Sequence, residues 1–136
     1  MISLVKSNNR GKGEEPAASS GSIMSQKAKE KNRFLAAQQA AEAEIISLQQ
    51  LNEKDKEGQA EVLAVHRELV SSRSFSDSVM TFINKDHANA EAAVEYTVNE
   101  IVSMLVLLEN DYMRQRAVNI KEIGNRLLRH LRITKT

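Results

Sequence analysis

The sequence predicts an all-α fold, an antiparallel helical bundle of about four helices with one short extra helix, behind a disordered N-terminal tail. Three observations carry this. The 136 residues are 41% hydrophobic, with one proline, five glycines and 4% aromatic residues. That composition suits helices and is too poor in aromatics for a large β-sandwich core. Apolar residues recur at alternating spacings of three and four through most of the chain, as in helices that bury one stripe. The polar breaks between these segments are short, so neighbouring helices should run antiparallel.

The length is that of one domain. Residues 6–22, KSNNRGKGEEPAASSGS, hold the only proline, Pro16, and show no apolar period, so residues 1–23 read as a disordered tail or linker and residues 24–136 as the bundle. From about Ser25 the chain is rich in alanine, glutamine and glutamate, with Phe34, Ala37, Ala41, Ile45 and Leu48 on one stripe. A single helix of about 28 residues, roughly 42 Å long, is expected there.

Gly58 falls in the polar connection NEKDKEG. The next helix carries Val62, Val65, His66, Leu69 and Val70 at helical spacing. A second start signal follows in SRSFSD, where Ser74 and Asp77 have the spacing of a capping box. The short helix after it should bury Phe75, Val79, Phe82 and Ile83. Asn89 is placed to cap a helix with Val94, Val98, Ile101, Leu105 and Leu108 on its seam. Asn110 or Asp111 opens the last helix, whose seam is Met113, Ala117, Ile120, Gly124, Leu127 and Leu131. An interior glycine costs a helix about 1 kcal/mol relative to alanine. Gly124 therefore implies the close approach of another backbone or of a large side chain such as Phe34 or Tyr96.

Several chemistries are absent from the residues. Zero cysteines exclude disulfides, thiolate catalysis and thiolate metal sites. His66, His87 and His130 show no metal-binding spacing, so neither a metal nor any other cofactor is expected. GKGEEP lacks the full phosphate-loop pattern and the strand that precedes one. A formal net charge of +1 gives no reason to expect nucleic acid as a partner. No run approaches the roughly 18 uninterrupted apolar residues of a membrane span, and the opening MISLV is too short for a secretory core, so a cytoplasmic chain is expected. The basic end RLLRHLRITKT reads as a solvated helix terminus, where cations complement the helix dipole. His66 has two readings: a buried histidine hydrogen-bonded inside the bundle, or a proton-handling contact at a binding face.

The stretch ENDYMRQRAVNIKEIGNRLLRHL resembles the last helix of the helical subdomain of enzyme I, the phosphoenolpyruvate-dependent protein kinase of the bacterial sugar phosphotransferase system. Tyr112, Arg116, Ala117, Ile120, Ile123, Gly124, Arg126, Leu127 and Leu128 match that family in register, while Asn119, Lys121 and Glu122 depart mildly. Residues 57–132 are similar throughout and residues 25–55 more loosely. The resemblance implies a bundle that binds the phosphocarrier HPr so that a histidine in a neighbouring domain exchanges phosphate with it. No residue of this chain is expected to be catalytic, because the family's phosphohistidine motif and substrate barrel have no counterpart in these residues.

The resemblance also implies a docking strip of Val62, His66, Leu69 and Phe75, with Glu57 as a rim acid and Arg116 as a basic residue beside it. Where the family tends to place acids after the histidine helix, this chain has Ser71, Ser72, Arg73 and Ser74 before Phe75. Fewer rim acids mean slower, less steered association, while the apolar strip keeps affinity. Alternatives remain open: a truncated decoy competing for the carrier, a structural module forming a homo-oligomer through Val62, Leu69 and Phe75, and an enzyme using His66 as acid or base.

Overall fold

The computed structural model describes residues 16–51 and 58–133, with side chains described from residue 23 onward. Five helices follow in order: α1 (Pro16–Leu51), α2 (Gln59–Val70), α3 (Arg73–Asp86), α4 (Ala90–Leu107) and α5 (Asp111–Ile133). The described residues contain no strand. The chain divides into two compact units after Glu30. In the first, the described residues are the opening turns of α1, with Ile23 and Met24 exposed. The second holds the bundle.

The first helix begins earlier than its composition suggests. Pro16 occupies its first position, where the missing N–H is no loss and φ is already helical. Residues 16–23, expected in the tail, are therefore helical; the rest of that expected tail lies outside the described residues.

Local chemistry sets the other boundaries. Gly58 precedes α2 at φ 86°, a left-handed conformation that a side chain would strain, and its carbonyl accepts from the Val62 N–H at 3.0 Å. The cap of α3 is Ser72, not Ser74: the Ser72 hydroxyl accepts from the Phe75 N–H at 3.3 Å. Two residues, Ser71 and Ser72, thus break α2 from α3. Gln38 of α1 spans this break, its amide donating to the Val70 carbonyl at 2.8 Å and to the Ser76 hydroxyl at 2.7 Å. Asn89 caps α4 by accepting from the Ala92 N–H at 2.8 Å, and Asn110 caps α5 by accepting from the Met113 N–H at 2.9 Å.

Cross-helix pairs fix the directions. Gln49 meets Arg67, Glu42 meets Ser71, and Gln38 meets Ser76, so α1 runs antiparallel to α2 and α3. Thr97 donates to Ser78, and Phe82 packs on Tyr96 with ring centroids 5.4 Å apart; α3 and α4 are antiparallel too. Along α4 and α5, Val98 lies against Gly124, and Arg33 joins Glu91 near the start of α4 to the Leu131 carbonyl near the end of α5. Because of the Ser71–Ser72 break, α2 packs against α5 while α3 packs against α4.

One core results, from Phe34, Ala41 and Ile45 of α1, Leu69 and Val70 of α2, Phe75, Val79 and Ile83 of α3, Ala93 and Val94 of α4, and Ile123, Leu127 and Leu131 of α5. Phe82, expected in this core, is half-buried. The seam of α5 is occupied as its spacing requires. The neighbour of Gly124 is neither Phe34 nor Tyr96: a Cβ built there would stand 2.7 Å from Val98 Cγ2.

The basic end of α5 has a partner that sequence proximity does not reveal. Glu44 of α1 accepts from Arg126 at 2.9 Å, from Arg129 at 3.2 Å and from His130 at 2.9 Å. Partial burial pushes the Glu44 carboxyl up, but hydrogen bonds from His130 and Arg126, with the charges of Arg126 and Arg129, outweigh it and hold the pKa at about 2. A depressed carboxyl pKa contributes stability above its unfolded value of 4.5, and that contribution is lost as pH falls from there toward about 2. Glu44→Gln is expected to lower stability by roughly 1 kcal/mol or less at neutral pH, since the carboxylate is partly solvated. Thermal melts of the two proteins should converge between pH 4.5 and 2; a gap that persists unchanged at the acid end contradicts this role.

Candidate partner-docking face

The resemblance-derived residues separate into two sets. Val62 is 40% exposed on α2, and Arg116 is half-buried on α5 across from it. Both line an open groove of about 370 Å³ between the two helices, with Val65, Tyr112 and Asn119 among its other walls. His66, Leu69 and Phe75 are instead 5%, 5% and 3% exposed. Leu69 and Phe75 belong to the core, turned inward because α2 lies against α5 and the serine break folds Phe75 beneath it. Glu57 lies outside the described residues.

The exposed stripe of Val62, Leu69 and Phe75 expected to mediate self-association is therefore not a stripe. Only Val62 of the three reaches solvent to any extent.

His66 sits at the floor of a neighbouring cleft of about 600 Å³, whose walls include Leu48, Val62, Leu63, Glu122 and Arg126. Its Nε2 is 2.9 Å from Glu122 Oε1. A carboxylate can only accept, so Nε2 carries the proton and donates. The other ring nitrogen, Nδ1, is buried without a partner, as is Asn119 Oδ1. His66 is thus hydrogen-bonded within the bundle through Nε2, on the side that faces the cleft, while Nδ1 is turned inward. Glu122 supplies the carboxylate not evident in the sequence, because it lies 56 residues away. Tyr112 was visible only as a motif residue, although it forms one wall of the α2–α5 groove.

The electrostatics of the face are mixed. Glu61 and Arg116 stand on opposite sides of the smaller groove, and Arg67 and Arg73 are exposed along α2 and α3. Arg126, facing the larger cleft, is held by Glu44. Among the described residues no group of three or more histidine, aspartate or glutamate side chains is placed to hold a metal, and no helix is long and apolar enough to cross a membrane.

The chain is an all-α helical bundle with an open, mixed-polarity groove between α2 and α5. The sequence comparison then gives the family: residues 9–116 match the PEP-utilising enzyme N-terminal family, and the chain belongs to it, as an enzyme I-type N-terminal segment. Curated relatives are phosphoenolpyruvate-protein phosphotransferases. That of Listeria monocytogenes is 28% identical over 103 residues, covering 75% of this chain and 18% of the relative. That of Bacillus sp. strain S is 30% identical over 100 residues, covering 73% of this chain and 17% of the relative. The chain thus spans less than a fifth of the length of these relatives. A solution structure of enzyme I (nEIt) superposes with a TM-score of 0.74 at 26% identity, over 79% of this chain and 44% of that one.

Proposed function

We propose that this chain is the carrier-docking bundle of a phosphotransferase-system protein, cytoplasmic and binding the phosphocarrier HPr or an HPr-like domain at the α2–α5 face. The carrier's histidine is thereby presented to a phosphoryl-accepting histidine outside these residues. The observation that carries this reading is the family match over residues 9–116 joined to an open groove where apolar Val62 and Val65 lie beside the Arg116 guanidinium. His66, Leu69 and Phe75 serve the face from below, by holding α2 and α3 in place. As a separate chain it would compete with full-length enzyme I for the carrier.

With Glu61 opposed by Arg116, Arg67 and Arg73, steering by charge is weak. The encounter should be slower and less salt-dependent than one guided by a continuous acidic rim. Titration of the chain with HPr, followed by calorimetry and by amide NMR, should give saturable shifts confined to α2 and the first half of α5. Arg116→Ala, which removes the guanidinium from the groove wall beside Val62 and Val65, should weaken binding about tenfold, equivalent to about 1.4 kcal/mol. No heat together with no shift would sink the proposal.

A further inference from the structure

The last helix buries one polar residue. Asn119 is 8% exposed, and every other residue that α5 buries is apolar or glycine. Its Oδ1 accepts from no donor among the described residues. Folded chains rarely strand a buried acceptor, because desolvating it without a partner costs free energy that an apolar side chain of the same shape would not. The other orphan between α2 and α5 offers no remedy. With Nε2 donating to Glu122, His66 Nδ1 is itself an acceptor, so the two atoms cannot satisfy each other.

The position of Asn119 says where a donor can arrive. It lines the α2–α5 groove together with Val62, Val65, Tyr112 and Arg116, one helical turn beyond Arg116 on the same face. The terminal torsion of an asparagine is broad, so the amide can turn Oδ1 toward the groove without displacing α5. The two residues call for opposite groups: the Arg116 guanidinium only donates, and the stranded Oδ1 only accepts. A cationic donor is disfavoured, because it would lie within a turn of the guanidinium. A stretch of peptide backbone carries both groups, a neutral N–H and a C=O, on each residue.

We propose that Asn119 is the specificity-determining residue of this groove, accepting a backbone N–H of the docked carrier while Arg116 donates to a carbonyl of the same segment. The inference rests on the docking function proposed for the groove and adds its chemistry. Val62 and Val65 offer contact to any apolar occupant, whereas Oδ1 is satisfied only by one that brings a neutral donor to that point. An occupant without it leaves the acceptor stranded, and a mismatch of that kind discriminates more strongly than apolar area does.

Calorimetric titration with HPr of the wild type, Asn119→Leu and Asn119→Asp, each accompanied by a thermal melt, tests this. Leucine is close to asparagine in shape, so Asn119→Leu should melt a few degrees above the wild type, yet bind HPr about tenfold more weakly through the lost hydrogen bond. A residue that served only the bundle would lose stability and leave affinity unchanged. Should leucine not fit, Asn119→Ala gives the same reading of affinity. Asn119→Asp keeps an accepting oxygen and should bind no more tightly than the wild type; tighter binding would identify a cationic donor and overturn the backbone assignment. Leucine and alanine variants that bind HPr as tightly as the wild type overturn the inference whatever their melting temperature, and leave the docking function standing. A wild-type chain that gives neither heat nor NMR shifts removes the docking function, and the inference with it.

Discussion

Replacing Arg33 by alanine is expected to lower the stability of the bundle by about 3 kcal/mol, the scale seen when one member of a mostly buried ion pair is removed. Its guanidinium donates twice to Glu91, at 2.9 and 2.7 Å, and once more to the Leu131 carbonyl at 3.2 Å. The side chains are only 14% and 17% exposed, so water cannot readily replace what is lost. One residue of α1 thereby ties the start of α4 to the end of α5. At this chain length 3 kcal/mol corresponds to a fall in melting temperature of roughly 10 °C. Arg33→Lys should recover only part of it, because a point charge cannot make the two parallel bonds of the fork. Thermal melts that place Arg33→Ala within 1 or 2 °C of the wild type would show the clamp to be incidental.

That clamp illustrates which part of the molecule was legible in advance and which was not. A helix announces its buried face through a local period, so the stripes of Phe34, Ala37, Ala41 and Ile45 in α1 and of Ile120, Leu127 and Leu131 in α5 could be read residue by residue, and all are buried. Asn89 and Asn110 cap their helices as their positions suggested, because capping is a three-residue affair. The spacing of Ser74 to Asp77 pointed to Ser74 as the cap of α3, but the cap is Ser72, whose hydroxyl accepts from the Phe75 N–H. What the period cannot convey is whether a neighbour reaches the face it marks. Leu105 and Leu108 continue the seam of α4, yet Leu105 is only half-buried against the core and Leu108 is exposed.

The candidate site was legible in identity more than in geometry. The motif around Arg116 and Gly124 pointed to the family that residues 9–116 match. The helical period already put Phe75 among the residues to be buried and His66 and Leu69 on the apolar stripe of α2, and all three are buried; only the resemblance set them on a docking strip. Neither showed the ion pairs that join distant segments. Glu122 with His66 and Glu44 with Arg126, Arg129 and His130 are separated by more than 50 residues, and no pattern on one helix encodes its partner on another.

Gly124→Leu should destabilise the protein by up to about 3 kcal/mol through overpacking, and Gly124→Ala should destabilise it too, against the rule that alanine improves a helix by about 1 kcal/mol over glycine. The reason is a single contact. A Cβ at position 124 would stand 2.7 Å from Val98 Cγ2 and 3.7 Å from its Cβ. Valine is stiff at χ1 in a helix, so its methyl cannot swing aside, and α4 must move away from α5 instead. The gain in helix propensity is then smaller than the overlap it creates. Trimming the neighbour reverses the sign: in a Val98→Ala background the obstructing methyl is gone, and Gly124→Ala should become stabilising by up to about 1 kcal/mol. A double-mutant cycle by denaturant unfolding measures this reversal as a coupling between the two positions. If Gly124→Ala stabilises the protein equally with Val98 present and absent, the seam glycine is a tolerated defect and not the place where two helices must come close.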